Sequence, residues 1–202
     1  AWVSFTKSKL LPKYDIVGMI QYERLFESPR WDVAFSNLFI FGFLFIFISM
    51  LLGLLLAILL DQKIRAEGVI RTIYLYPMAL SLIVTGTAWK WILNPGLGLE
   101  AMIKGWGWES FSFNWLVDPK MAIYTVVLAG VWQASGFVMA LFLAGLRSVD
   151  QEIIKAAQVD GIPTWRIYSS IILPSMAAIF LSAFIVLAHL AIKSFDLVIA
   201  LT

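Results

Sequence analysis

LRSVDQEIIKAAQVDGIPTWRIYSSIILP, residues 146–174, is a polar island between two long apolar runs, and its reading decides how the rest of the chain folds. Ser148 is followed three residues later by Gln151, the spacing of a capping box, which predicts a helix start with its first amide donors satisfied. Val149, Ile153, Ala156 and Ala157 then share one face of that helix. Gly161 supplies a left-handed stop, and Pro163, with its fixed φ and missing N–H, suits the opening of a second helix. The pattern is helix, sharp turn, helix. A chain that only had to reverse direction could do so in a few residues, so the hairpin is expected to be a surface on which something docks.

The flanking runs say where the hairpin sits. Hydrophobic residues make up 61% of the 202 and mean hydropathy is +0.87, against roughly 45–50% apolar residues in a soluble domain. This is the composition of an integral membrane protein, with room for four or five spans in one helical domain covering residues 1–202. A net charge of +2 argues against nucleic acid as a partner. No cysteine is present, so disulfides and thiolate chemistry are excluded, and a single histidine leaves little for a metal centre.

Residues 1–36 mix five basic and four acidic side chains and hold no unbroken apolar run, so they are expected outside the hydrocarbon. Four spans are predicted, at residues 37–60, 72–93, 121–146 and 171–192. The first carries no charge and as a helix at about 1.5 Å per residue would reach about 36 Å, longer than a bilayer core of about 30 Å, so it is expected to tilt. Pro77 is expected to kink the second. Gly136, Ala140 and Ala144 put a stripe of small residues on the third, where another helix can approach closely. Residues 193–202 read either as an extension of the fourth span or as a further element.

Residues 93–120 return to water, marked by Asn94-Pro95-Gly96, Gly98, Gly105 and Gly107. Trp89, Trp91, Trp106, Trp108 and Trp115 border that segment as an interfacial belt, some of them open to an external protein. The connections 61–71 and 147–170 lie on one side and are denser in Lys and Arg than 1–36 and 93–120, which places the hairpin in the cytoplasm.

Chemistry-bearing motifs are sparse. There is no G-x-x-x-x-G-K-[ST] loop, no G-x-S-x-G elbow and no H-E-x-x-H helix. The spans offer few polar groups, among them Ser81, Thr85, Gln133, Ser135, Ser182, His189 and Lys193, with too few convergent acids and bases for catalysis, so no catalytic residue, cofactor or metal is expected.

The hairpin then becomes specific. KAAQVDGIPTWRIYSSIILP resembles the EAA motif of ATP-binding-cassette importer permeases, with Ala156, Ala157, Asp160, Gly161, Ile171, Leu173 and Pro174 at the matching positions. WKWILNPGLG (89–98) and RTIYLYP (71–77) resemble signatures of the maltose-type sugar permeases, and the likeness runs from IQYERLFESP (20–29) to FDLVIALT (195–202). The family's leading acid is Lys155 here, which puts in doubt any contact needing a carboxylate at that position.

The resemblance implies an all-α, polytopic transmembrane bundle with a cytoplasmic coupling hairpin at 147–170. It implies that one span upstream and one after Thr202 are lost from a fragment. It further implies a permease subunit of an ATP-driven, binding-protein-dependent sugar importer in the cytoplasmic membrane of a bacterium or archaeon. The partners would be a second permease subunit, two ATPase subunits that hydrolyse the ATP, an external sugar-binding protein and the sugar. Lys155, Ala156, Ala157, Asp160 and Gly161 would meet the ATPase. Gln133, Phe137 and Ser194 would line the substrate pathway, with His189 beside them, although Gln133 reads equally as an interhelical hydrogen bond. His189 and Lys193, four apart on one face, read as conduit wall or as groups reaching the interface. The competing reading is an ion-coupled carrier or passive channel, for which His189 and Asp196 are the available ion-coupling groups.

Overall fold

The computed structural model describes residues 2–8, 15–62 and 64–202; Lys9, Lys13 and Lys63, which enter the charge balance above, lie outside the described residues. The chain divides into two compact units, Ala1–Ile40 and Phe41–Thr202. In the first, a 3-10 turn at Trp2–Phe5 leads to an antiparallel bridge between Thr6 and Ile16, followed by α1 (Ile20–Phe26). Tyr22 on α1 holds this hook closed: its hydroxyl lies 2.7 Å from Ser4 Oγ and its ring 5.6 Å from that of Phe5.

The boundary between the units falls within α2 (Pro29–Asp61). This helix starts eight residues ahead of the expected span, because Pro29 occupies the first helical position, where its missing N–H costs nothing. Its first turns carry Arg30 and Asp32. At about 1.5 Å per residue its 33 residues extend about 50 Å, well beyond a hydrocarbon core.

Within Phe41–Thr202 the second apolar run is broken rather than gently kinked. α3 (Glu67–Leu75) tightens into a 3-10 turn, Tyr76–Ala79, that contains the buried Pro77. The backbone then extends at Leu80 (ψ 145°) and α4 (Leu82–Ile92) restarts, bent by 102° from the preceding helix. Ser81 caps α4, its Oγ accepting from Val84 N at 3.3 Å. Proline alone bends a helix modestly. Here the proline turn and a serine cap act in series, which moves the break three residues downstream and enlarges it.

In the first turn of α5 (Leu99–Gly105), the buried Glu100 accepts from Phe113 N (3.1 Å) and Lys104 Nζ (2.6 Å), which ties the helix to the chain that follows it. α6 (Ala122–Ser148) is the axis of this unit, packing against α3, the 3-10 turn and α4, and against two later helices. Of the expected small-residue stripe, Gly136 meets backbone: a Cβ there would sit 1.8 Å from Tyr74 O, so only glycine lets α3 pass this close. Ala144 is exposed.

The hairpin follows. α7 (Gln151–Val159) is capped by Asp150, whose Oδ1 accepts from Glu152 N at 2.9 Å, and not by Ser148 as the spacing predicts. Ser148 still belongs to α6, donating to Gly145 O at 2.7 Å, and the chain turns at the extended Val149. α7 ends in a Schellman motif. Gly161 adopts φ +74°, with Ile162 N donating to Ala157 O (3.0 Å) and Gly161 N to Gln158 O (3.1 Å).

Pro163 precedes the second helix as its cap rather than opening it. α8 (Thr164–Ile167) continues without a gap through a π-helical turn at Tyr168–Ile172 into α9 (Leu173–Ser175). That widened turn accommodates the ring of Pro174, so no boundary occurs at residue 170. The chain instead bends by 66° at Met176 before α10 (Ala177–Ile192). After a break at Lys193–Ser194, the tail forms α11 (Phe195–Leu201), which packs along α4.

Among the described residues α2 and α6 are each long and apolar enough to cross a membrane; counting each bent pair as one broken span gives four.

Candidate functional site

The restart of α4 leaves the Leu80 carbonyl without a helical partner, and α6 supplies one. Gln133 Nε2 donates to Leu80 O at 2.7 Å, fixing which way the amide faces, since a flipped amide would set oxygen against oxygen. Gln133 Oε1 is buried with no hydrogen-bond partner in the protein. An unpaired buried acceptor costs about 1–3 kcal/mol and so marks a place where a donor is expected.

Gln133 lines a cavity of about 160 Å3. Phe41, Phe45 and Phe137 contribute rings to it, Met78 and Leu82 flank the break, and Gly130, Ala134, Leu190 and Leu197 complete the wall with Ser194. Ser194 is buried at the junction of α10 and α11, its Oγ donating to Ala191 O at 2.8 Å. The structure thus brings together Gln133, Phe137 and Ser194 from the sequence-predicted pathway. His189 is exposed on α10 and is not part of the wall; Lys193 and Asp196 are also exposed.

Phe41, Phe45, Met78 and Leu82 are cavity residues that the sequence reading missed. Each sits in an apolar run with no local mark, and the only signal for the break beside them was Ser81 placed four residues after Pro77. Among the described residues no charged side chain lines the cavity. Rings, an unpaired amide oxygen and a buried hydroxyl suit a neutral, hydroxylated molecule and offer no acid–base chemistry. Among the described residues no group of His, Cys, Asp or Glu could hold a metal.

The hairpin is built the opposite way, with apolar groups turned out. Ile153 is 52% exposed, Val159 87% and Trp165 67%, while Ala157 is buried. Lys155, Ala156, Asp160 and Gly161 are exposed as well. The alanine pair therefore divides: Ala157 faces the bundle and its carbonyl closes the Schellman turn, and Ala156 lies on the open side.

A helical membrane bundle with broken spans, a central neutral cavity and an outward-facing apolar hairpin has the parts of a transport subunit. Residues 49–202 match the model of the binding-protein-dependent transport system inner membrane component family, and the chain belongs to that family. It is 41% identical over its whole length to a probable ABC transporter permease protein of Pyrococcus horikoshii, covering 70% of that relative. It is 36% identical over 98% of its length to a xylose/arabinose import permease protein of Haloferax volcanii, covering 63% of it.

The fold is shared with a bacterial ABC transporter involved in the import of the acidic polysaccharide alginate, at a TM-score of 0.79 and 18% identity over 94% of this chain and 72% of the other. The chain is thus a transport permease subunit and an inner membrane component. These relationships favour the importer over an ion-coupled or passive carrier.

Proposed function

We propose that the chain is the membrane-spanning part of an ATP-driven importer that takes up an uncharged sugar or polyol with the help of an external binding protein. The observation that carries this reading is the hairpin's end, where Val159 and Trp165 are exposed on either side of a turn set by Gly161. Apolar side chains presented on a fixed, capped turn are costly to leave uncovered, and a groove on a cytoplasmic ATPase covers them. Two such ATPase subunits, a second permease subunit and the external binding protein complete the assembly, in the cytoplasmic membrane of a bacterium or archaeon. ATP is hydrolysed on the ATPase subunits, whose closure moves the hairpin.

The cavity is this chain's share of the substrate path, with Gln133, Phe137 and Ser194 as contacts. Among the described residues its lining carries no charge, which supports a neutral cargo, since an anionic one would call for a cationic partner in so apolar a site.

The test is uptake by the complete transporter in proteoliposomes, with maltose, trehalose, xylose and glycerol 3-phosphate as labelled probes. Uptake of a neutral probe only when ATP is enclosed, abolished by Val159→Glu together with ATPase co-purification, is expected. Uptake that proceeds without ATP, or a variant that still retains the ATPase, would remove this reading.

A further inference from the structure

At the end of α6, next to the hairpin, Arg147 reaches back to two other elements, α2 and α3. Its Nη2 lies 2.8 Å from Glu67 Oε1 on the first turn of α3 and donates to Leu60 O at 3.5 Å, and its Nε lies 3.7 Å from Asp61 Oδ1. The other Asp61 oxygen accepts from Tyr168 Oη at 3.5 Å. One guanidinium and one phenol thereby join the end of α2, the start of α3, the end of α6 and the returning arm of the hairpin.

The arrangement suits each helix end. Glu67 sits at a helix N-terminus and Arg147 at a C-terminus, where their charges are favoured, and Arg147 answers the last carbonyls and the misplaced acid of α2. Arg147, Asp61 and Glu67 are nevertheless 44%, 29% and 31% exposed, so solvent screens the pairs and they add little to stability. Their value lies in geometry: a planar fork holds two carboxylates from separate elements at fixed spacing.

α3 is the first arm of the broken span, and the break that follows it carries Met78, Leu82 and the Leu80 carbonyl held by Gln133. Resting on the reading of the chain as an ATP-driven permease, we propose that Arg147 is a positioning residue that transmits displacement of the hairpin to the broken span and so to the cavity.

These 202 residues contain no cysteine, so with any cysteine elsewhere in the complete transporter replaced by serine, single reporters can be placed in it in liposomes. Val159→Cys reports the hairpin and Met78→Cys the cavity, each read as the rate of maleimide labelling with and without ATP and vanadate. With Arg147 intact, nucleotide slows labelling of the first and changes that of the second. With Arg147→Met, protection at the hairpin persists while the nucleotide-dependent ratio at the cavity reporter falls to unity. Arg147→Lys restores it in part, and the exchange Arg147→Glu with Glu67→Arg restores more than either single change.

An undiminished response at the cavity in Arg147→Met would overturn the inference, as would loss of both responses together, which would make Arg147 a support of the hairpin fold. Absence of both responses with Arg147 intact would instead overturn the ATP-driven reading and the inference with it.

Discussion

Replacing Gly161 gives the cleanest probe of the hairpin, because the position isolates backbone conformation from packing. At φ +74° the residue sits in the left-handed region, and a Cβ built there meets nothing within 4 Å. The effect of an added Cβ is therefore conformational strain and not a clash. For alanine that strain is about 1–2 kcal/mol, and for a β-branched residue about 2–3 kcal/mol. The strain opposes two backbone hydrogen bonds, Ile162 N to Ala157 O and Gly161 N to Gln158 O, worth about 1 kcal/mol each.

Gly161→Val therefore outweighs what holds the turn, Gly161→Ala roughly balances it, and Gly161→Asn, which tolerates the left-handed region, leaves it intact. At about 1.4 kcal/mol per factor of ten, the population of closed turns falls by about ten-fold or more between Asn and Val. The assay is ATP-dependent uptake alongside ATPase co-purification, with thermal unfolding of the membrane bundle as control. Both activities should fall in the order Gly, Asn, Ala, Val at constant bundle stability. Wild-type uptake by Gly161→Val, or equal damage from Asn and Val, would refute the reasoning.

Three further outcomes are expected. Gln133→Leu removes one unpaired oxygen as it frees the Leu80 carbonyl, so stability in a denaturation series should shift by less than about 1 kcal/mol, while sugar uptake drops several-fold through KM with ATPase docking unchanged. Gly136→Ala drives a Cβ against Tyr74 O and should destabilise the bundle by about 1–3 kcal/mol, whereas Gly68→Ala, where a Cβ meets nothing within 4 Å, should be neutral or mildly stabilising in the same melt.

Glu100 is held below the usual carboxylate range by the Lys104 ammonium and then by Phe113 N–H, so its contribution is present above the unfolded value of about 4.3 and is lost as pH falls through the lower folded value. Acidification below that point should release the Phe113 amide to hydrogen exchange, and Glu100→Gln should remove the pH dependence.

What could be read from residue order, and what could not, separates along the range of the interactions. The all-helical membrane class followed from long apolar runs, and the Gly161 stop from a local conformational need that no other residue type meets as cheaply. Helix boundaries set by competing local signals were less secure. Ser148 and Asp150 are both able caps, and what decided between them was whether α6 would release Ser148; the hydrogen bond to Gly145 O kept it. The break at Leu80 finds its partner fifty-three positions away, where Gln133 answers the freed carbonyl, a pairing that no local pattern announces.

The same holds for Arg147. In sequence it is one more basic residue after an apolar run, and only the convergence of Asp61, Glu67 and Tyr168 gives it a role. Gln133 illustrates how the two readings held open for it merge: one end of the amide makes the interhelical hydrogen bond, and the other is left unpaired in the cavity wall. On the proposed reading, in which the unpaired end meets the cargo, opposite ends of one rigid amide tie occupancy of the cavity to the geometry of the broken span. Replacing Gln133 should therefore disturb substrate affinity before it disturbs the fold.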